Sequence, residues 1–301
     1  MNSSHRFTVF TPCFNSERFI HRVYESLCAQ TFDDFEWLVI DDASTDGTNR
    51  ILKKYQEESN FPVRMYTNEQ NQMISYNLNK AFDLAEGELF VIAGHDDRFD
   101  SNTLEIFDNI WVKDGKSNIS GIVCHCRNKE GELIGRHFPN YAVIDNFFNL
   151  FADYIYRHEK FGCTRTEVLR QFKFDTSLMR HIPEGVMWGR IALKYDQIFL
   201  DETLRTYYIE DNNPSALTKR GRLKTAESSR YQYLVWANEF LARVRGNFLL
   251  KLRFHFAYLF HSFLFGSSPR RILHDLHKLN SKLLCLILIV PAWIVSKRVT
   301  R

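Results

Sequence analysis

Along the first hundred positions, apolar residues follow two alternating periods. Arg6–Thr11, Phe35–Ile40, Val63–Thr67 and Leu89–Ala93 are short runs rich in β-branched and aromatic side chains, the pattern of buried strands. Between them apolar positions recur every three or four residues: Phe19, Ile20, Val23 and Leu27; Ile51, Leu52 and Tyr55; and, within 71–86, Ile74, Leu78, Ala81, Phe82 and Ala85. That spacing buries one helical face. Asn15 or Ser16 is suited to cap the first of these helices, and Ser101 to cap a further one over 102–112. Strands alternating with helices of about a dozen residues predict an α/β domain around a mixed, mostly parallel sheet with right-handed crossovers. Ligands of such sheets collect beyond the carboxyl ends of the strands. Three polar loops fall there: Pro12–Asn15, Asp41–Asp42 and His95–Asp97.

After Val112 the pattern loosens. Ile119–Arg127 and Leu133–Phe138 bracket the turn Asn128–Glu132 and predict two strands, and Gln197–Leu200 and Thr203–Ile209 predict strands that complete the sheet. The organisation expected is a catalytic domain over 1–222, with a nucleotide-binding half to 112 and an acceptor half with a lid over 113–222, followed by a helical extension over 223–301.

Charge separates that extension from the rest. From Ala242 onward eleven Lys or Arg face a single acid, Asp275, a net of +10 that leaves −7 elsewhere in a chain of net +3. Phe248–Phe265 and the 13-residue run Leu283–Val295 are apolar and flanked by Lys278, Lys282, Lys297, Arg298 and Arg301. A span needs roughly 20 apolar residues, so these read as helices lying in a membrane interface, or else as a helical subdomain packed on protein. The six cysteines show no framework spacing and no secretory segment precedes the first strand, which points to a reducing cytoplasm. Cys124-His125-Cys126 alternates along a strand and reads as buried thiols rather than a metal site. No Gly-rich phosphate loop occurs.

Taken alone, Asp96-Asp97 is either a turn or a pair of oxygen ligands that holds Mg²⁺ or Mn²⁺ against a phosphate. The surrounding residues favour the second. TPCFN at 11–15, AQTFDDFEWLVIDDASTDGT at 29–48, NKAFDLAEGE at 79–88 and HDD at 95–97 together resemble the family 2 glycosyltransferases of GT-A fold. The resemblance implies an inverting transferase that moves a sugar from a nucleotide diphosphate, most often UDP, to a hydroxyl of a glycan or lipid-linked glycan. It implies that Pro12, Phe14 and Asn15 line the nucleotide pocket, that Asp42 accepts a hydrogen bond from the ring N–H of the base, that Asp97 holds Mn²⁺ or Mg²⁺, and that Asp96 holds ribose or shares the metal. Pro183-Glu184 resembles the family's helix start, which makes Glu184 the general base; a purely helix-terminal acid is the alternative. Lys219, Arg220 and Arg222 belong either to a lid that meets the diphosphate or to a basic linker.

Two positions depart from the family: His95 stands where many members have an acid, and Leu78 where many have a basic residue. Tyr154, Tyr156, Arg157, His158 and Phe161 are either a sugar platform or core. The partners expected are a nucleotide-sugar donor, a glycan acceptor, peripheral contact with the cytoplasmic face of a membrane through 248–298, and in some arrangements a second copy of the chain, with nucleic acid not among them. Two rivals remain: transfer to a polyprenyl phosphate, where Glu184 is not needed, and a catalytically silent nucleotide-sugar-binding scaffold.

Overall fold

The computed structural model describes residues 4–208, 223–245 and 247–299. The chain divides into two compact units, one of residues 1–174 and 191–215 and the other of residues 175–190 and 216–301. In chain order the elements are β1 (His5–Cys13), α1 (His21–Cys28), β2 (Phe35–Asp41), α2 (Thr48–Glu58), β3 (Val63–Thr67), α3 (Ile74–Leu84), β4 (Gly87–Ile92), β5 (Arg98–Phe99), α4 (Thr103–Asp114), β6 (Ile119–Arg127), β7 (Ala142–Asp145), α5 (Phe147–Leu150), β8 (Lys160–Arg165), α6 (Thr166–Gln171), α7 (Glu184–Ala192), β9 (Asp196–Thr206), α8 (Ala226–Val235), α9 (Phe248–Leu264), α10 (Pro269–Asp275) and α11 (Leu279–Val299).

The first unit is a sheet in the order β3-β2-β1-β4-β8-β6-β9-β5, with β7 also paired to β9. β1 to β4 are mutually parallel, so the helical crossovers carry the chain back and all four strands end on one edge. β8 runs antiparallel between β4 and β6, and β6 is again parallel to β9. That reversal makes the sheet mixed and puts the start of β8 on the edge where β4 and β6 end. The strands hold because their apolar runs are buried: every residue of β2 is buried, and Phe7, Val9, Leu89 and Val91 are fully covered. Gly162 of β8 lets the pair with β6 close, since a Cβ there would stand 1.9 Å from the Ile122 carbonyl oxygen. Glu36, buried in β2, is held at the opposite edge by the Thr8 hydroxyl (2.6 Å), the Arg64 guanidinium (2.9 Å) and the Glu86 N–H (2.7 Å), a structural use for an acid.

Two expectations change. Leu133–Phe138 is not a strand: Leu133 makes one bridge to Arg127, and the extra edge strand is β7, which pairs in register with Gln197–Leu200 of β9. The two strands expected over 197–209 are one, β9, to Thr206.

In the second unit α8, α9 and α11 pack together, α11 lying along α9. At 21 residues α11 outruns the 13-residue apolar stretch seen in the sequence and is long and apolar enough to cross a membrane. Its buried positions are the small residues Ser281, Cys285, Ala292 and Ser296. Large side chains face outward: Leu279 is 69% exposed, Ile287 73% and Val290 61%, with Leu283, Leu286, Trp293 and Ile294 beside them.

Candidate active site

The ends of β1, β2 and β4 are tied to one another by their loops. The Asp42 N–H donates to the Cys13 carbonyl (2.8 Å) and the Ala93 N–H to the Phe10 carbonyl (2.9 Å). Asn15, in the left-handed region at φ 51°, donates its N–H to the Ser44 hydroxyl (2.9 Å), and its side-chain oxygen accepts from the Thr45 N–H (2.8 Å). Asparagine tolerates that conformation better than most residues. Phe14 is half-buried in the same loop, its N–H on the Ser16 hydroxyl. Pro12 is half-buried beside them. The three loops predicted to converge do so.

The acids of this edge are unequal. Asp41 is buried and accepts from the Ser44 N–H (3.1 Å) and the Asn49 amide (3.3 Å), turning the chain into α2. Asp42, 3% exposed, accepts from the Asn68 amide and the Gln72 N–H (both 2.8 Å) on Oδ1 and from the Met73 N–H (2.9 Å) on Oδ2. It orders the entry to α3 and keeps acceptor capacity on Oδ2. Asp97 is also 3% exposed. Its Oδ2 lies 2.5 Å from Arg205 Nη2, and its Oδ1 accepts from the Tyr208 N–H (3.2 Å). Burial pushes this carboxyl up to about 6, against the pull of Arg205. Asp96 is half-exposed and its carboxylate makes no hydrogen bond or ion pair with the described residues, while its carbonyl accepts from Arg22 Nη1 (2.8 Å). His95 is held neutral by burial, and its Nε2 is covered with no hydrogen-bond partner among the described residues. Gly94 gives these acids room, since a Cβ would stand 2.8 Å from Asp97 Oδ2.

These donors suit a divalent cation unequally. Asp96 offers a hard oxygen ligand without an ion-paired cation among the described residues, whereas Asp97 offers one only in exchange for Arg205. The site therefore fits a metal held mainly from Asp96 and completed by a diphosphate.

Sequence reasoning missed three cations. Arg205 is the partner of Asp97 and also reaches Glu159 (3.5 Å). Arg22 lies 4.1 Å from the Tyr208 ring centroid. Lys80 donates to the Asn68 side chain (2.8 Å), one step from Asp42, next to the buried Leu78. The signal available was the single Arg of β9, one residue before the strand ends at Thr206. Asn79 closes a reciprocal pair with the Phe174 backbone (2.8 and 2.9 Å).

On the acceptor side, Phe161 is core, against Phe99 and Phe107. Tyr154 packs on Phe138. His125, His137 and Asp201 gather ligand atoms within 4.8 Å of one another. The Lys160 ammonium, 3.2 Å from His125 Nδ1, makes that nitrogen an acceptor, so Nε2–H donates to Asp201 (2.9 Å). This tautomer suits a hydrogen-bond network rather than a metal, whose histidines direct the second N–H at an acceptor. Burial and then Lys160 lower the His125 pKa to about 4.

Glu184 stands in the second unit, half-exposed in the first turn of α7 directly after Pro183. Lys219, Arg220 and Arg222 lie outside the described residues. A cleft of about 970 Å³ opens on the opposite sheet edge, lined in part by Arg6, Glu88, Lys116, Arg165 and Arg170, and holds none of the expected site residues.

A mixed sheet with a polar edge at β1, β2 and β4 is the frame on which nucleotide-dependent transferases are built, and comparison with known proteins identifies the class. Residues 8–176, more than half of the chain, match the family model of glycosyl transferase family 2. The chain belongs to that family. It is 36% identical over 103 residues to the poly(ribitol-phosphate) beta-N-acetylglucosaminyltransferase TarS of Staphylococcus aureus (strain Mu50 / ATCC 700699), a match covering 33% of this chain and 18% of that protein. Across the first curated relatives the match spans 18% to 38% of their length. In structure, S. aureus TarS 1–349 in complex with UDP-GlcNAc aligns with a TM-score of 0.66 at 17% identity, over 97% of this chain and 90% of that one. The mannosyltransferase PcManGT of Pyrobaculum calidifontis, in complex with GDP-Man and Mn²⁺, aligns at 0.59 and 15% identity, over 98% and 84%. These likenesses show the GT-A fold.

Proposed function

We propose that the chain transfers a sugar from a nucleotide diphosphate, a UDP-sugar in the first instance, to a hydroxyl of a glycan or lipid-linked glycan, with inversion. The observation that carries this reading is the half-exposed Asp96 carboxylate, without an ion pair among the described residues, on an edge shared with the Pro12–Asn15 and Asp41–Asp42 loops. Neighbours of this fold bind UDP-GlcNAc and GDP-Man with Mn²⁺, which supports a nucleotide-sugar donor.

In this reading Asp42 Oδ2 accepts the ring N–H of the base, and Phe14, Pro12 and Asn15 flank the nucleotide. Asp96 and, on release from Arg205, Asp97 would hold Mn²⁺ or Mg²⁺, which when bound neutralises charge on the diphosphate. Glu184 takes the proton of the acceptor hydroxyl as its oxygen bonds to the anomeric carbon. The bond from that carbon to the diphosphate oxygen breaks with its electron pair going to the leaving nucleoside diphosphate. The second unit serves at a membrane surface: α11 turns large apolar side chains outward between Lys278 and Lys282 at one end and Lys297 and Arg298 at the other.

The test is a screen of nucleotide sugars for a rise in melting temperature with and without Mn²⁺, since a ligand of the native state stabilises it by mass action. Transfer is then assayed in Glu184→Gln, which is expected to retain the thermal shift and lose about 10²–10⁴-fold in transfer rate. Full transfer by Glu184→Gln removes Glu184 as the base and leaves a polyprenyl phosphate, already anionic, as the acceptor. Donor binding without turnover in the unaltered chain makes the protein a scaffold.

A further inference from the structure

Beside the candidate site three cations have no acidic partner among the described residues. A π-helical turn over Phe151–Ile155 ends at Tyr156, whose N–H donates to the Phe151 carbonyl (2.8 Å). The next residue, Arg157, is in the left-handed region at φ 66°. A bulky residue there carries strain, and strained backbone and π turns both concentrate at functional sites. Arg157 is exposed, with its guanidinium 5.2 Å over the Tyr156 ring. Gly135, at φ 121°, sits against His158: a Cβ would stand 2.9 Å from His158 Cγ. That approach brings the exposed Arg136 alongside, and burial, Lys160 and Arg136 together hold the His158 imidazole below its ordinary pKa. Lys160, half-buried at the start of β8, rests 5.5 Å over the Phe138 ring.

Among the described residues, none of Arg136, Arg157 and Lys160 has a carboxylate within ion-pair distance. Two acids of this region are engaged elsewhere: Asp201 accepts from His125 (2.9 Å), His137 (3.2 Å) and the Phe138 N–H (2.8 Å), and Glu159 faces Arg205 (3.5 Å). The cluster stands out because residues 1–241 carry a net charge of −7. It also adjoins the site, since Lys160 begins the strand antiparallel to β4, and Arg205 runs from Glu159 to Asp97.

We propose that Arg136, Arg157 and Lys160, beside His158 and the Tyr156 ring, form an acceptor subsite for a phosphate-bearing glycan chain. The inference rests on the glycosyl-transfer reading and adds the charge of the acceptor to it. Fork-shaped guanidiniums grip phosphate oxygens in pairs, an ammonium adds a point charge, and an aromatic face accepts the sugar between phosphates. The same chemistry is offered by two other sources, the donor diphosphate and an anionic lipid headgroup, and the experiment separates all three.

The probe is a glycerol-phosphate oligomer, with neutral dextran as control, titrated calorimetrically into the full chain saturated with UDP. The variants are Arg136→Gln/Arg157→Asn, which alters exposed side chains and keeps a residue tolerant of the left-handed region, and separately Lys160→Gln. Thermal unfolding verifies that each is folded. The oligomer is expected to bind, to weaken as salt is raised to about 0.15 M, and to bind the double variant about tenfold or more weakly. The Michaelis constant for donor hydrolysis stays unchanged, and so does flotation with phosphatidylglycerol vesicles. Undiminished oligomer binding in folded variants overturns the proposal. A raised Michaelis constant for the donor assigns the cations to the diphosphate, and lost flotation assigns them to lipid; either result overturns the glycan subsite. Absence of donor turnover in the unaltered chain is a different outcome, the failure of the transfer reading itself.

Discussion

Removing Arg205 tests whether Asp97 is a scaffold acid or a free metal ligand. The Asp97 carboxylate is 4% exposed and the Arg205 side chain 12%, with 2.5 Å between Oδ2 and Nη2. Arg205→Met leaves a buried carboxylate whose remaining support is the Tyr208 N–H at 3.2 Å. Breaking a buried pair from one side costs about 3–5 kcal/mol, because the abandoned acid either stays charged and desolvated or has to take up a proton. For a unit near 200 residues each kcal/mol moves the melting temperature by roughly 2–4 °C, so the expected fall is on the order of 6–20 °C. Asp97→Asn costs less, about 1–3 kcal/mol, since Arg205 still faces Glu159 at 3.5 Å. The double variant Asp97→Asn/Arg205→Met regains part of the loss, and the coupling is read from a double-mutant cycle of urea unfolding. Asp96→Asn is the control, expected to alter stability by less than about 0.5 kcal/mol while abolishing the Mn²⁺-dependent thermal shift with a nucleotide sugar. The reasoning is refuted if Asp97→Asn leaves the melting temperature unchanged and alone removes that shift.

The pH dependence of stability carries a second prediction. Burial, and next Lys160, hold His125 near pKa 4 in the fold against an ordinary 6.5, so the unfolded chain takes up a proton that the folded one refuses. Its contribution is complete above pH 6.5 and declines as the pH falls toward 4, by about 2 kcal/mol at pH 5. Urea midpoints from pH 7.5 down to about 4.5 should fall more steeply for the native chain than for His125→Gln, and identical slopes would discard the assignment. For the second unit, Ile287→Glu/Val290→Glu places charge on the outward face of α11, where the native residues are 73% and 61% exposed. Flotation with anionic liposomes should be lost while the melting temperature holds, and retained flotation would show that this face does not meet lipid.

Much of the fold was legible from pattern. β1, β2 and β4 each end their apolar run at a polar residue, and the helical stripes between them imply parallel strands and a shared edge. What was not legible depended on partners distant in sequence. Leu133–Phe138 has strand composition, yet the edge of β9 pairs with Ala142–Asp145 instead, and Phe138 is buried as a loop residue stacked on His125. In α11, the polar flanks Asn280-Ser281-Lys282 and Ser296-Lys297-Arg298 ended the apolar count but not the helix, because helical hydrogen bonds are indifferent to side-chain polarity. Its small residues at 281, 285, 292 and 296 recur at four, seven and four, a helical spacing that puts all of them on one face.

The inequality of Asp96 and Asp97 has the same origin. β4 ends at Ile92 and the Asp97 N–H closes a turn on the Gly94 carbonyl (3.2 Å), so Asp96 sits half-exposed in the turn while Asp97 is carried inward. The inward acid must find a cation or lose its charge, and the outward one stays open to solvent and ligands. Nothing in HDD says which is which, for that depends on where β9 delivers its single arginine. Arg205 reaches Asp97, and the Asp96 carboxylate has no ion pair among the described residues. Had the arginine stood one position earlier or later in β9, its side chain would have met the other face of the sheet and the buried acid would have had no counter-charge. The electrostatics of the site are thus set by a strand more than a hundred residues away from the acids they govern, and Arg205→Met tests that link directly.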